Sequence, residues 1–550
     1  VISGNGRYVA FSSYANNLTP GDTDIAADVF IHDRQTGQTT IIPFSSSDPL
    51  AQALYPSISS DGRYVVFSVQ VGTEESDILV YDSSTGQTTL VSIAMDGSRA
   101  KSYLTPVSQS ISANGRYIVF SSDANNLVSG DTNGKTDVFV RDTQAAVTTR
   151  VSVASGGTQA NDLSSDPSIS ADGRYVAFES AASNLVAGDT NGYVDVFVHD
   201  RSTGVTVLVS RDSLGALANN GTRNPSISAD GRYVAFVSDA SNLVPDDTNQ
   251  STDIFVYDRV LGDIARASLA SDGSQANSDS YAPSISSNGR YIAFESAAGN
   301  LVDGYTGWPA PIYVHDRQTG ETVSIPSGPL GFKPDLSVGS PSISDDGQSI
   351  AFVSASINLV ANDTNGADDV FVYTKLGKLS PSTDAVDQPL TPTLSWQASG
   401  AATSYEYCYS STPGSCAKWN SVGNNTSIAL AGLAPNYTYY WQVRAVNADG
   451  FIEADDLVWW SFTTVAGSIC SWSPYTPPVV PTFGDVPMSA GHWNWVERLS
   501  NSGITAGCGN GNYCPFTEVV RAQMAIFLLR GRHCGSSYIP PAVGGSTGFN

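Results

Sequence analysis

Cysteine is scarce and confined. All six, Cys408, Cys416, Cys470, Cys508, Cys514 and Cys534, lie in the last third of the 550 residues, and none forms a CxxC pair of the zinc-binding kind. An even number grouped in small modules predicts disulfides, and with them an oxidising, extracellular compartment. Basic residues are also few: 27 Lys and Arg face 52 Asp and Glu, a formal charge of −25. That balance excludes nucleic acid as a partner, because phosphate binding needs clustered Lys and Arg. No run approaches 18 apolar residues, so no helical membrane span is expected. The chain opens at Val1 with neither initiator Met nor charged-then-apolar leader, as a processed or partial chain would.

Glycine, by contrast, is abundant, at 50 residues, and much of it is periodic. The phrase Ser-Ile-Ser-x-Asp/Asn-Gly-Arg-Tyr-Val-x-Phe recurs, its glycine falling at Gly6, Gly62, Gly115, Gly173, Gly231, Gly289 and Gly347. Successive spacings are 56, 53, 58, 58, 58 and 58 residues. Each repeat divides alike. In the fourth, Pro167–Ser170 predicts one strand, Asp172-Gly173 a hairpin turn, and Tyr175–Phe178 a second strand. Asp195–Asp200 follows as a third and Val205–Ser210 as a fourth. Four antiparallel strands per repeat predict a propeller blade, with blades starting near 1, 56, 109, 167, 225, 283 and 341.

On these residues the chain resembles the TolB-like, WD-like propeller over 1–378, about two-thirds of its length. The resemblance implies a toroid whose first strands line a central channel, and no single function. Residues 379–467 carry Pro392-Thr-Leu-Ser-Trp396, Leu433-Ala-Pro-Asn-Tyr437 and Trp460-Ser-Phe-Thr-Thr464, and resemble a fibronectin type III sandwich. A Pro-rich linker spans 468–482. Residues 483–535, with Phe483-Gly-Asp-Val-Pro487, His492-Trp493 and Val520-Arg-Ala-Gln523, resemble a helical S-layer homology (SLH) module. Residues 536–550 lead toward a second one. The fold class expected is therefore mainly β: a seven-bladed propeller, a β-sandwich, then a small α-helical module.

The SLH resemblance implies that Trp493, Arg521 and Gln523 hold cell-wall polysaccharide or another envelope component. Arg521 suits a carboxylated sugar. Val520 and Gln523 depart from that family's Thr and Glu, which weakens the expectation, and the alternative is that Arg521 packs the module. Disulfides are expected at Cys408–Cys416, Cys508–Cys514 and Cys470–Cys534. The first two close short loops, and the third is left by elimination.

Five loops repeat a carboxylate pattern: Asp22, Asp24 and Asp28; Asp131, Asn133 and Asp137; Asp189, Asn191 and Asp195; Asp247, Asn249 and Asp253; Asp363, Asn365 and Asp369. Oxygen at positions 1, 3 and 7 suits calcium, the one cofactor expected. The same residues also make side-chain turns, and both readings stand at this point. His32, His199 and His315 share one slot of the repeat, filled elsewhere by Tyr81, Tyr257 and Tyr373, so they serve the fold. No Ser/His/Asp or Cys/His set breaks the repeat, and no catalytic residue is expected. The function expected is a non-enzymatic, secreted cell-surface protein that is structural or binds partners, with self-assembly among neighbouring subunits. The alternatives are a TolB-like platform for protein or glycan and a carbohydrate-active propeller enzyme. Finally, the seventh repeat has no convincing fourth strand after Val370-Phe-Val-Tyr373. Its outer strand is expected from elsewhere: residues upstream of Val1, or a neighbouring subunit.

Overall fold

The computed structural model describes residues 1–465 except 21, 23–24, 46–47, 49, 72–74, 101–107, 303–308, 326–333, 361–362, 399–401, 448–449 and 455–457. These form two compact units, which meet at Leu376 and Gly377 along the main path of the chain. No α-helix occurs among the described residues.

In the first unit seven antiparallel sheets follow one another along the chain. The fourth is representative, with strands Ser164–Ile169, Tyr175–Ser180, Asp195–Asp200 and Val205–Leu208 in that order. Alternate residues of the two middle strands face neighbouring sheets, and both faces are covered, so Val176, Ala177, Phe178, Val196, Phe197 and Val198 are all buried. The partners Phe178 and Phe197 stack at 5.9 Å. The same aromatic pair recurs in the first, third, fifth, sixth and seventh sheets. Each inter-sheet layer is apolar; between the fourth and fifth it joins Val196, Val198 and Val209 to Ile227, Val234 and Phe236.

The Asp-Gly turn is a side-chain cage. Asp172 Oδ1 accepts from Ser170 Oγ (2.7 Å) and Arg174 N (2.9 Å), and Ser170 Oγ accepts from Tyr175 N (2.9 Å). Gly173 alone takes a left-handed φ, +74°. The turns then bond to one another: Ala171 N donates to Ala229 O, Ala229 N to Ser287 O, Ser287 N to Asp345 O, and Asp345 N to Gly4 O. Asn5 N continues to Ser60 O. The seventh sheet thus meets the first, a closed, propeller-like arrangement.

Side chains lock each sheet to the next. Every Tyr that follows the repeat Arg lies beneath the turn glycine of the following sheet: Tyr8 under Gly62, Tyr64 under Gly115, Tyr117 under Gly173, Tyr175 under Gly231, Tyr233 under Gly289 and Tyr291 under Gly347. A Cβ there would overlap the ring. Arg174 caps Tyr175 from one side, at 4.7 Å, and clamps Asp200 with two bonds of 2.9 and 2.7 Å. Arg259, from the next sheet, covers the same ring at 4.1 Å and donates to Gly231 O.

Two features depart from the sequence reading. The inner strand starts earlier than Pro167, and a β-bulge precedes the proline in five sheets. Its left-handed residue is Tyr55, Asp166, Asn224, Ala282 or Ser340. The end sheets are also shorter than the rest. The first has Tyr8–Ser13, Asp28–Asp33 and Gln38–Ile41, with Ile2 bridging to Val9. The seventh has Val338–Ile343, Ser349–Ser354 and Asp369–Thr374, and no described strand pairs with the outer edge of the last.

The second unit holds two sheets. One orders Lys378–Ser380, Thr393–Trp396 and Ser427–Ala429. The other includes Ala385–Gln388, Trp460–Thr464, Thr438–Asn447 and Ser404–Ser410. Trp396 and Trp441 are buried, and Trp396 packs on Tyr405 of the other sheet at 5.9 Å. Cys408 and Cys416 are joined as a disulfide, as expected; Cys470, Cys508, Cys514 and Cys534 lie outside the described residues.

The lock predicts a contrast between two glycines that share a left-handed φ. Gly231→Ala must displace the Tyr175 ring, whereas Gly204→Ala meets nothing within 4 Å. Backbone strain alone is expected to cost Gly204→Ala about 1 kcal/mol. Gly231→Ala is expected to cost about 1–3 kcal/mol more. Denaturant midpoints measure both, and equal costs would mean that the ring is not clamped.

Candidate functional site

The Asp-Thr-Asn loops enter the third strand of their sheets. In the fourth sheet Asn191 Nδ2 donates to Asp195 Oδ2 (2.8 Å) and to Ala218 O (3.2 Å), while its Oδ1 accepts from Tyr193 N (3.1 Å). Ser210 Oγ donates to Asp195 Oδ1 (2.7 Å) and accepts from Val196 N (3.1 Å). Asn133–Asp137, Asn249–Asp253 and Asn365–Asp369 repeat the Asn-to-Asp bond at 2.9, 2.9 and 3.1 Å. The Asn therefore turns its amide NH2 toward the carboxylate and spends its oxygen on an Asx turn.

In two sheets the first and last carboxylates converge on a guanidinium. Arg150 Nη1 lies 3.1 Å from both Asp131 and Asp137. Arg266 reaches Asp247 at 2.9 Å and Asp253 at 3.6 Å. Both arginines end the fourth strand, opposite Phe139 and Phe255. The sequence motif contains no arginine, because this cation arrives from across the sheet.

The fourth sheet has Leu208 at that position, opposite Phe197. Asp189 and Asp195 are buried there, and burial raises both above the usual carboxylate range, Asp195 to about 6. In the first sheet Asp28 is buried, while Asp24 lies outside the described residues. In the seventh, Asp363 and Asp369 are half-buried. Among the described residues no group of three or more His, Cys, Asp or Glu is placed to hold a metal.

Other ionisable groups are bound to the repeat. Nδ1 of His32, His199 and His315 bonds to Thr39, Thr206 and Thr322, each at 2.9 Å. Burial lowers the pKa of His199 and His315. Glu179 and Glu295, which the sequence reading passed over, face the bulges of the following sheets. Glu179 Oε2 accepts from Asn224 N (3.0 Å) and Glu295 Oε1 from Ser340 N (2.5 Å). Their signal is 45 residues distant from its partner, out of reach of local patterning. Trp493, Arg521 and Gln523 lie outside the described residues.

At the junction of the seventh and first sheets a groove of about 590 Å³ opens. Val9, Phe11, Tyr14 and Leu18 line one wall, with Asp369, Val370 and Val372 on the other. The lock is different here: Gln348, Ser349 and Thr374 replace the Arg, Tyr and Asp of the other sheets, and Gly6 faces Ser349. The buried layer shrinks to Ile2, Val9 and Ala351, with Phe11, Val370 and Val372 against it.

No protein-family model matches the chain, and no curated protein matches its sequence. Several solved structures are similar to it over part of its length. Putative TolB from Agrobacterium tumefaciens is 13% identical with a TM-score of 0.36, over 63% of this chain and 97% of that one. The β-propeller domain of the Trilobed protease from Pyrococcus furiosus is 13% identical with a TM-score of 0.42, over 67% and 90%. TolB from Acinetobacter baumannii is 15% identical with a TM-score of 0.32, over 72% and 78%. The chain's own repeated four-stranded sheets place it in the mainly β, propeller-like class.

Asp195 sets a pH dependence. Its folded pKa, about 6, lies above the ordinary 3.8, so the folded state holds the extra proton between those values. Its contribution to stability is complete below about pH 4 and is lost as pH rises through about 6. Urea midpoints measured from pH 4 to 7 are expected to fall more in the wild type than in Asp195→Asn or Leu208→Arg, the latter supplying the cation found in sister sheets. Parallel curves for all three proteins would contradict this placement of charge.

Proposed function

We propose that the chain is a secreted, non-enzymatic structural and interaction protein of the cell surface. In this reading residues 1–378 are a seven-bladed β-propeller, 379–467 a fibronectin type III-like spacer, and 483–535 an SLH-like anchor for cell-wall polysaccharide. One observation carries it furthest: the repeat spends its charged side chains on bonds that hold the sheets. Arg174, Asp200, His199 and Glu179 each bond within the sheet or to the next. A group held by two or three structural bonds has little capacity left to transfer protons, so the repeat favours a rigid scaffold.

A second reading, a platform that grips a protein or glycan, is favoured by the apolar groove at the seam of the ring. It is compatible with the first, since a displayed scaffold and a binding surface are one object. Calcium enters the proposal at the fourth sheet, where Asp189 and Asp195 lack the arginine of their counterparts and a cation would relieve their burial.

Anchoring is tested by co-sedimenting the full chain with purified cell-wall sacculi. The chain is expected to pellet, and Arg521→Ala to reduce the bound fraction about tenfold, the loss of one bidentate carboxylate contact. A chain that stays in solution, or an Arg521→Ala variant that binds as well as wild type, would contradict the anchor.

A further inference from the structure

An asparagine followed by glycine can react with itself, because the glycine nitrogen carries no neighbouring side chain to keep it from the asparagine Cγ. Seven such pairs lie among the described residues, and Asn510-Gly511 lies outside them. Three of the seven, Asn5-Gly6, Asn114-Gly115 and Asn288-Gly289, make hairpin turns. There the glycine nitrogen is already spent: Gly6 N donates to Ser3 O (2.8 Å), Gly115 N to Ser112 O (2.9 Å) and Gly289 N to Ser286 O (2.9 Å). The asparagine Oδ1 is spent too, on a serine hydroxyl and on the backbone N of Arg7, Arg116 or Arg290. Three more, Asn133-Gly134, Asn191-Gly192 and Asn365-Gly366, belong to the Asp-Thr-Asn loops. Their Oδ1 accepts from the residue past the glycine, and their NH2 donates to Asp137, Asp195 or Asp369. Turning that amide into a carboxylate would set two negative charges against each other.

The seventh pair, Asn220-Gly221, is held differently. Asn220 is exposed, at the entrance to the inner strand Thr222–Ile227 of the fifth sheet. Gly221 N donates to Oδ1 of Asn220 itself, at 2.9 Å, so the nitrogen and the carbonyl it would attack are already in contact. A Cβ built on Gly221 meets nothing within 4 Å, which leaves room for a ring. The residues on either side are tied down. Asn219 Nδ2 donates to Ser241 Oγ (3.0 Å), Asn219 Oδ1 accepts from Ser241 N (2.9 Å), and Thr222 N donates to Val194 O (2.8 Å). The pair is thus a short span between two anchors, and the anchors keep the contact in place.

We propose that Asn220-Gly221 is a site of self-modification, at which Asn220 becomes aspartate and iso-aspartate through a cyclic imide, with water as the co-reactant. Gly221 N gives its proton to solvent and bonds to Cγ of Asn220; the Cγ–Nδ2 bond breaks, and ammonia leaves with a proton taken from water. Water then opens the imide. Opening at Cγ leaves an aspartate in an unchanged main chain. Opening at the backbone carbonyl leaves the main chain running through Cβ, as iso-aspartate. Nothing is oxidised or reduced. Either product adds a negative charge, and the iso form lengthens the main chain by a carbon atom immediately before Thr222–Ile227. The inference is independent of the interaction-scaffold reading.

The test needs no variant. The full chain is incubated folded in mildly alkaline buffer and, in parallel, unfolded in urea, then digested and followed by peptide mass. Conversion adds about 1 Da to a peptide, and an isoaspartyl methyltransferase labels the iso form. In the folded chain Asn220 is expected to convert at least about tenfold faster than each of the other six, the rate advantage of a contact already made. In urea the seven rates are expected to converge, because the dipeptide alone then decides. A folded chain in which Asn220 converts no faster than Asn114 or Asn133, or a lead that Asn220 keeps in urea, overturns the proposal.

Discussion

A tyrosine ring trapped beneath a glycine governs this molecule. The ring leaves its own sheet at the start of the second strand, and the following sheet can approach only because its turn residue has no Cβ. The same glycine needs a left-handed φ to turn the hairpin, so two independent constraints converge on one position. Two arginines hold the ring in the middle sheets, one from each partner. Each such contact is worth roughly 0.5–2 kcal/mol, but its repetition sets the spacing at six of the seven junctions between sheets. The turn cages, the turn-to-turn backbone bonds and the valine-rich layers all presuppose that spacing.

A repeated lock gives prominence to the place where it is absent. Between the seventh and first sheets the tyrosine is Ser349, the Arg–Asp clamp is Gln348 and Thr374, and Arg34 reaches across to Thr374 instead. Smaller side chains leave a thinner buried layer and a groove between the two sheets. Here carboxylates and apolar residues stand together at the groove.

Much of this was legible in the sequence, and the rest was not for definite reasons. The period of the glycines, the Asp-Gly turn and the alternation of Tyr-Val-Ala-Phe are local signals, and they predicted the strands of each sheet. That the chain does not fold straight back on Asp369–Thr374 was likewise readable: among the described residues the next strand begins at Lys378 and pairs with Thr393–Trp396 in the second unit. The bulges escaped notice: a left-handed Asp166 or Asn224 before proline is set by pairing to the next strand, not by its own type. The cation of the Asp-Thr-Asn loops escaped too. Arg150 is 13 residues from Asp137 and reads as a strand end until the sheet folds it back. The cell-wall residues Trp493, Arg521 and Gln523 and two of the three disulfides fall outside the described residues, and their case remains the motif itself.

Six sheets are followed by one that the Tyr–Gly contact locks to them, whereas the seventh meets the first through Ser349 and Gly6, a weaker seam. Hydrogen–deuterium exchange, followed by peptide mass on the full chain, tests it most directly. Amides in the completed third strands Asp195–Asp200 and Asp253–Asp258 bond on both sides and are buried, so they are predicted to exchange slowly. Amides of Asp369–Thr374, beside the seam where the tyrosine lock is replaced, are predicted to exchange far faster. Equal protection of all three strands would contradict the weaker seam.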